Sequence, residues 1–337
     1  MHIAMLGIAY HLPEKVETNA DLQRENPDWR MDDIYAKSGI DARHIAAEDE
    51  TASDLGYAAA TKLLEQEIVP RGEVDYIVYC TQSPDFFLPS GACILQQRLG
   101  LGKHVGAFDF NLGCSGFVYG LQIAKSLVLS GAARNVLLIT ADTYTKYIHP
   151  RDRTVRTLFG DGAAATLIGE SSGAGRIGEF VVGTDGKGAE NLIVTDGGTR
   201  NPKRQSPCEE ITDEAGCTRT SENLFMDGPA IFTFAITSVP KVVKALMAKS
   251  ELTTDDIDYF VYHQANQYML EHLAKRGKIP AEKMIIDVQD IGNTVSSSIP
   301  IALARAVEKG SIQSGNRLVL VGFGVGYSWA ACEMQWN

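Results

Sequence analysis

The residues best suited to chemistry in this sequence are a cysteine, a histidine and an asparagine, each at a point where a predicted strand gives way to a turn and a helix. Cys114 follows the strand-like segment 108–112, and small residues around it open a helix. Unpaired backbone N–H groups and the helix dipole lower the pKa of a thiol at a helix N-terminus. We therefore expect Cys114 to be a nucleophile; the alternative is a buried, inert cysteine.

His263 ends a second apolar strand, and Asn293 lies in a polar, small-residue loop, 291–300, that leads into another helix. Either residue alone would more often serve a structural role, as a hydrogen-bonding side chain or in a turn. Cysteine proteases use the same three residue types for acyl transfer, but their signature around the thiol is absent here. The set therefore predicts nucleophilic acyl chemistry in another architecture.

Composition narrows the possible partners and compartments. The chain has 337 residues and a formal net charge of -11, which argues against nucleic acid or an anionic membrane as the main partner. The N-terminus has no signal-peptide pattern, and no apolar run reaches membrane-spanning length. The six cysteines show no C-x-x-C pair and no metal-ligand spacing. We expect a cytoplasmic protein without a metal.

Two pairs of apolar strands indicate an internal duplication. Segment 74–80 is repeated almost residue for residue at 257–263, and segment 135–140 is repeated at 316–321. The intervals between them are nearly equal, which predicts two copies of one α/β unit. Strands alternate with helices, so we expect two parallel sheets in a five-layered α/β/α/β/α body. The predicted halves are 1–172 and 173–337, and a Gly-, Asp- and Thr-rich excursion at about 184–222 is expected to form a pocket wall.

Five ordered motifs give the chain a family resemblance. The motifs are CSGF at 114–117, FGDGA at 159–163, HQAN at 263–266, GNT at 292–294 and GFGVG at 322–326. With these motifs the chain resembles a β-ketoacyl-acyl-carrier-protein synthase III, a condensing enzyme with the thiolase fold, over essentially its whole length.

The resemblance implies an acyltransferase that needs no permanently bound cofactor. Cys114 would accept an acyl group from acyl-CoA, and His263 and Asn293 would serve decarboxylation of malonyl-ACP, giving a 3-oxoacyl product and CO₂. Backbone N–H groups of Cys114 and Val325 are the candidate oxyanion donors. The alternative is acyl transfer from Cys114 to a hydroxyl or amine without decarboxylation. A third hypothesis, an inactive partner subunit, requires a damaged catalytic set, and none is visible.

The resemblance also implies binding residues and partners. Arg153 lies where the family has an arginine near CoA, Asn266 where an asparagine lines the pantetheine tunnel, and Phe117 either beside the acyl chain or in the core. An acyl carrier protein and a homodimer are implied partners. Two positions depart from the family pattern: Asp33 replaces a tryptophan that stacks on adenine, with Trp29 out of register, and Tyr268 replaces an arginine of the carrier-binding surface. A replacement basic patch is available at Lys275, Arg276 and Lys278.

Overall fold

The structure is a computed structural model that describes residues 2–203 and 208–337. Most predicted strands are present, and each begins or ends within a few residues of its predicted limit. The described strands are β1 (His2–His11), β2 (Lys15–Thr18), β3 (Ala42–Ile45), β4 (Tyr76–Cys80), β5 (Gly106–Phe110), β6 (Asn135–Asp142), β7 (Gly162–Ser171), β8 (Arg176–Thr184), β9 (Leu192–Ile193), β10 (Ile211–Thr212), β11 (Thr218–Arg219), β12 (Phe225–Met226), β13 (Tyr259–Tyr262), β14 (Met284–Ile285), β15 (Arg317–Gly324) and β16 (Ser328–Gln335).

Most of the helices begin at polar or small residues; one helix, which begins at Met31, is an exception. The described helices are α1 (Asn19–Glu25), α2 (Met31–Ser38), α3 (Ala52–Leu64), α4 (Gly91–Arg98), α5 (Gly116–Leu129), α6 (Arg153–Arg156), α7 (Gly228–Ser250), α8 (Gln267–Gly277) and α9 (Ser298–Glu308). Thr51 caps α3 by accepting the backbone N–H of Asp54. Thr18 caps α1 by accepting the backbone N–H of Asp21, and the side chain of Asn19, the first residue of α1, donates to the Ile40 carbonyl.

Two five-stranded sheets have the same order of equivalent strands. The first runs β1-β7-β6-β4-β5 and the second runs β8-β16-β15-β13-β14. The repeated segments of the sequence are the matching inner strands, β4 with β13 and β6 with β15. Tyr76 pairs with Val136 and Tyr259 pairs with Leu318, so residue 135 matches 317 rather than 316. The duplication is present, and the second sequence match was wrong by one residue.

The prediction of wholly parallel sheets was wrong. In each sheet the two strand pairs at one end are antiparallel: β1–β7 and β7–β6 in the first, β8–β16 and β16–β15 in the second. Only residues 325–327 separate β15 from β16. So short a connection joins antiparallel neighbours, because a parallel pair needs a long crossover.

The helices and sheets stack in five layers, as the resemblance implies. Helices α3 and α4 cover the outer face of the first sheet, and α7 and α8 cover the outer face of the second. Helices α5 and α9 lie between the two sheets, where side chains from both halves form one apolar core. The ends of the strands that precede the candidate residues therefore face a common region between the halves.

In the described residues of the predicted excursion at 184–222, the regular structure consists of a short 3-10 helix (Gly186–Asn191), strand β9 and the β10–β11 hairpin. Arg219 fastens this hairpin to the body: its guanidinium lies 2.8 Å from the buried Asp152 carboxylate and 2.5 Å from Asp213. Residues 204–207 of the excursion lie outside the described residues. The proposed division of the chain at residue 172 stays a prediction.

Helix α7 is, within the described part of the chain, long and apolar enough to cross a membrane, with a mean hydropathy of 1.5 over 18 residues. The expectation that no apolar run reaches that length was therefore wrong for this segment. Its apolar face packs on the second sheet through Phe234, Val239 and Leu246, whereas Lys241 and Lys244 lie outside the buried set. Its apolar residues serve the core of this fold.

Candidate active site

Cys114 lies at the elbow between β5 and α5. Strand β5 is the edge strand of its sheet and is half-buried, although the sequence suggested a buried strand. The glycines around the thiol are needed for close packing. A Cβ at Gly116 would collide with the Cys80 sulfur, and a Cβ at Gly324 would lie 2.8 Å from the Cys114 sulfur. At this elbow, Cys114 therefore packs directly against the end of β15, a strand of the other half.

The electrostatic expectation for Cys114 was wrong. Burial, and secondly the nearby charge of Asp142, raise its pKa to about 12, and hydrogen bonds from the backbone N–H groups of Val325 and of Cys114 itself oppose this rise only in part. The thiol therefore rests protonated at neutral pH. Both predicted oxyanion donors nevertheless lie at the sulfur.

Asp142 is a buried carboxyl group that sequence reasoning missed. It ends β6 and accepts hydrogen bonds from the Gln82 backbone N–H at 2.7 Å and from the backbone N–H and hydroxyl of Ser296. Burial is the main cause that raises its pKa to about 7. It therefore ties the strand end of the first half to the loop that carries Asn293. An aspartate at the end of a strand gives no sequence signal for such a contact.

His263 follows β13 directly and is held on three sides. Its backbone N–H donates to the Val321 carbonyl at 2.8 Å, and its ring packs edge to face on Phe323 with 5.6 Å between ring centroids. Its Nδ1 lies 2.7 Å from the Ser298 hydroxyl oxygen. Burial lowers the pKa of His263 to about 3, so the imidazole is neutral at physiological pH.

Asn293 is fixed through both its backbone and its side chain. Its backbone N–H donates to the Leu158 carbonyl at 2.9 Å, and its side-chain oxygen accepts the Val295 backbone N–H at 2.9 Å. This leaves the Nδ2 amide group directed at His263, with 3.5 Å between Asn293 Nδ2 and His263 Nε2. Both side chains are buried.

The structure brings the three predicted residues to one site between the halves. Phe323 and Gly324 are consecutive on β15: the first packs on the His263 ring and the second on Cys114. Val295, which orients Asn293, belongs to the same apolar cluster as Cys114. The sequence predicted this convergence from the position of each residue after a strand.

A large cavity adjoins Cys114 on the side of the excursion. Its volume is about 1190 Å³, and Val325, whose backbone N–H acts to lower the pKa of Cys114, is one of the residues that line it. Tyr144 donates its hydroxyl to the Gln82 side chain, whose amide group donates to Asn111 at 2.8 Å. The remaining wall is largely apolar and includes residues 192–194 and Leu224. The first part of the excursion is therefore a wall of this cavity.

A second cavity, of about 520 Å³, holds two of the predicted binding residues. Arg153 and Asn266 both line it, together with Lys37 and Tyr268. Asn266 also caps α8 by accepting the Met269 N–H at 2.9 Å, and Arg153 donates to the Ala215 carbonyl at 3.2 Å.

The other candidates for ligand contact lie elsewhere. Phe117 is fully buried in the core between the sheets and is not among the residues that line either cavity. Trp29 is 4% exposed and packs with Leu22 and Met31, so its indole is unavailable for stacking on a nucleotide. Among the described residues, no group of three or more His, Cys, Asp and Glu side chains could hold a metal ion.

Comparisons with known proteins agree with this arrangement. Two family models match, 3-oxoacyl-[acyl-carrier-protein] synthase III over residues 108–186 and its C-terminal model over 247–336. A beta-ketoacyl-[acyl-carrier-protein] synthase III of Fusobacterium nucleatum is 36% identical, over 99% of this chain and 98% of the relative. A crystal structure of a 3-oxoacyl-(acyl-carrier-protein) synthase III is 50% identical over the whole of both chains, with a TM-score of 0.96.

A second solved structure extends the likeness. The 3-oxoacyl-(acyl-carrier protein) synthase of Burkholderia xenovorans LB400 is 34% identical over 100% of this chain and 95% of the other, with a TM-score of 0.91. The duplicated layers, the convergence of Cys114, His263 and Asn293, and these similarities lead to the same conclusion. The chain belongs to the β-ketoacyl-acyl-carrier-protein synthase III family of thiolase-fold condensing acyltransferases.

Proposed function

We propose that Cys114 takes an acyl group from acyl-CoA, and that His263 and Asn293 hold the enolate oxygen formed when malonyl-ACP loses CO₂. The observation that carries this proposal is the buried pair of nitrogens, His263 Nε2 and Asn293 Nδ2, 3.5 Å apart beside the Cys114 elbow. Condensation is favoured over transfer to a hydroxyl or amine, since the similar proteins are named as 3-oxoacyl synthases.

In the loading step, the Cys114 sulfur attacks the thioester carbonyl, a new carbon–sulfur bond forms and the bond to CoA breaks. The thiol proton leaves on the CoA sulfur, so the exchange is balanced without another acid or base. The carbonyl oxygen becomes negative during the attack, and the backbone N–H groups of Cys114 and Val325, which both act on the sulfur, are the proposed donors that stabilise it. The raised pKa of the Cys114 thiol does not alter this proton balance, because the exchange consumes one protonated thiol and releases another.

In the condensation step, the bond between the malonyl carboxylate and its methylene carbon breaks and CO₂ departs. The electron pair forms an enolate, whose oxygen needs two hydrogen-bond donors in a site without water. Neutral His263 and the oriented Asn293 amide meet this need. The enolate carbon attacks acyl-Cys114, the 3-oxoacyl product leaves, and the cysteine thiolate takes up one proton from solvent. The high pKa of Cys114 favours that final uptake.

The cavity of about 1190 Å³ is the proposed acyl pocket. Ligand pockets for drug-sized molecules are typically about 300–1,000 Å³, so an acetyl group would leave most of this space unfilled. We therefore expect acyl donors longer than acetyl. The cavity of about 520 Å³ is the proposed CoA entrance, where Lys37 and Arg153 supply charge for phosphate groups.

Malonyl-ACP is the proposed second substrate, and the exposed Lys275 and Arg276 on α8 are its proposed docking residues. They supply positive charge near Tyr268 on a chain whose net charge is -11. Replacing both by glutamate should raise KM for malonyl-ACP while leaving acyl-CoA loading unchanged. Unaltered KM would rule out this docking surface.

A cytoplasmic homodimer is the proposed assembly. Strand β5 has a free edge in the described sheet, and Phe87 and Leu88 are 86% and 81% exposed near the acyl pocket. An unpaired edge beside exposed apolar side chains suits burial against a second copy. Sedimentation should give twice the mass of the 36.6 kDa chain, and a monomer at working concentration would overturn this part. Cell fractionation tests the compartment.

The decisive experiment separates the two steps. Intact mass after incubation with acyl-CoAs of increasing length should show one acyl adduct, lost in Cys114→Ala, and loading should be faster for chains longer than acetyl. With malonyl-ACP labelled in the carboxylate, Asn293→Ala should release CO₂ about a hundredfold more slowly or worse while still loading acyl groups.

Asn316→Ala is the control, since the Asn316 side chain accepts the Gln313 N–H at 2.8 Å in a turn and makes no other hydrogen bond among the described residues. Condensation that survives Cys114→Ala, or product formation from a hydroxyl or amine acceptor without CO₂, would overturn the proposal.

A further inference from the structure

Ser298 is a buried hydroxyl beside His263 that the reaction described above does not use. It is the first residue of α9 and has no exposed surface. Its oxygen lies 2.7 Å from His263 Nδ1 and accepts the Gln264 backbone N–H at 3.3 Å. The hydroxyl therefore has two neighbours, one of which can only donate.

The location of the hydroxyl hydrogen follows from these contacts. A serine hydroxyl has one hydrogen to donate and two lone pairs to accept. Gln264 occupies one lone pair, and within residues 2–203 and 208–337 the only acceptor in hydrogen-bond range of Ser298 is His263 Nδ1. If Nδ1 carried the hydrogen instead, the buried hydroxyl hydrogen would have no partner, which costs about 1–3 kcal/mol.

We infer that Ser298 is a positioning residue, which donates to Nδ1 of neutral His263 and so keeps the ring hydrogen on Nε2. The inference rests on the proposed function, in which Nε2 must donate. The ring nitrogen that carries the proton is set by the hydrogen bond that the other nitrogen makes.

The tautomer has a direct consequence for the site. With hydrogen on Nε2, the Asn293 amide and the imidazole are both donors, 3.5 Å apart. Two donors do not bond to each other, so both are free for a single acceptor, such as an enolate oxygen. The Val295 N–H fixes the asparagine, and the Ser298 hydroxyl fixes the histidine in the same way.

The first test needs no substitution. In protein labelled with nitrogen-15 histidine, the His263 signals are assigned by their loss in His263→Gln. They should show hydrogen on Nε2 and none on Nδ1 at neutral pH. A hydrogen on Nδ1 would overturn the inference.

The second test compares Ser298→Ala with Ser298→Thr and Ser297→Ala. Ser298→Ala should lower the rate of malonyl-ACP decarboxylation about tenfold to a hundredfold, with acyl loading of Cys114 unchanged, and its spectrum should gain the Nδ1–H form. Ser298→Thr keeps the hydroxyl and should restore rate and spectrum. Ser297→Ala loses a comparable buried hydrogen bond, to the Thr140 carbonyl at 3.0 Å, without touching His263 and should change neither.

The outcomes separate this inference from the proposed function. If His263→Gln and Asn293→Ala decarboxylate malonyl-ACP at the normal rate, the proposed function fails. If they are impaired but Ser298→Ala keeps the normal rate and the Nε2–H form, only the role of Ser298 is refuted.

Discussion

Strands β4 and β13 occupy the same position in the two sheets, and an aspartate with the same hydrogen bonds precedes each strand. Asp75 and Asp258 each donate their backbone N–H to the next strand of the sheet, at 3.0 and 2.9 Å. Each carboxylate also accepts the backbone N–H of the first residue of that strand, Asn135 at 3.2 Å and Arg317 at 2.7 Å. The hydrogen bonds that fix the strands are thus preserved in both halves.

At the other end of these two strands, the matching residues have different chemical roles. Cys80 is the last residue of β4, and the matching residue of the other half is His263, which follows β13 directly. The Cys80 thiol donates to the Leu112 carbonyl at 2.9 Å and packs under Gly116, so it supports the elbow of Cys114. His263 instead faces Asn293.

A similar divergence separates β6 from β15, where Asp142 matches Gly324. The aspartate holds the loop of Asn293, whereas the glycine leaves room for Cys114. The halves therefore share a scaffold and differ where strands end at the site.

The largest expected contrast is between the two buried thiols. Cys114→Ala should lower condensation by at least about a thousandfold, because no acyl intermediate can form. Cys80→Ala should retain loading and condensation within a few fold, although the loss of packing and a hydrogen bond should lower the free energy of unfolding by about 1–2 kcal/mol. Product formation and urea denaturation measure the two effects. Loss of acyl loading in folded Cys80→Ala would contradict a purely supporting role for Cys80.

A second contrast concerns Asp142, whose position holds a glycine in the other half. Burial raises its pKa from 3.8 to about 7, so between these values the folded protein holds a proton that the unfolded chain releases. The stability that this proton provides is present below about pH 4 and is lost as the pH rises through 7. The Asp142→Asn variant has no titrating proton at this position, so its stability does not change for this reason. The unfolding free energy of the wild type, measured against this variant, should therefore fall by an amount on the order of 4 kcal/mol over that range, since a pKa difference of one between the folded and unfolded chains is worth about 1.4 kcal/mol.

The same variant tests the effect of Asp142 on the nucleophile. Removing its charge should lower the pKa of Cys114, so alkylation of Cys114 by iodoacetamide at pH 8 should be faster. Cys93 is exposed and provides an internal control in the same digest. An unchanged ratio of Cys114 to Cys93 alkylation would show that the carboxylate is not charged beside the thiol.

The smallest effects are expected where the halves agree. Asp75→Ala and Asp258→Ala should each lower the free energy of unfolding by about 0.5–1.5 kcal/mol, since each removes an acceptor of backbone N–H groups. Neither should change kcat, because both lie at the ends of their strands remote from the site. Urea denaturation with steady-state kinetics checks both. A large kcat effect from only one of them would show that the two scaffolds are not equivalent.

Much of the fold was predictable because the inner strands are short apolar runs that repeat in the second half. The turns and helices that follow the strands at 108–112 and 257–263, and the polar loop 291–300, predicted where chemistry could occur. The protonation state of Cys114 was not predictable. The helix terminus is visible in sequence, but burial and the charge of Asp142 depend on residues far along the chain, and these dominate.

By itself, the sequence determined the duplicated α/β units and the three residues that we propose carry the reaction, because local patterns fix strands, turns and the helices after them. The tertiary structure decided which serine of the run 296–298 faces His263, which carboxylate lies beside Cys114, and that Trp29 belongs to the core. These outcomes depend on the packing of one half against the other or on burial in the folded core. Hydrogen bonding and desolvation act between atoms close in space, whatever their distance along the chain.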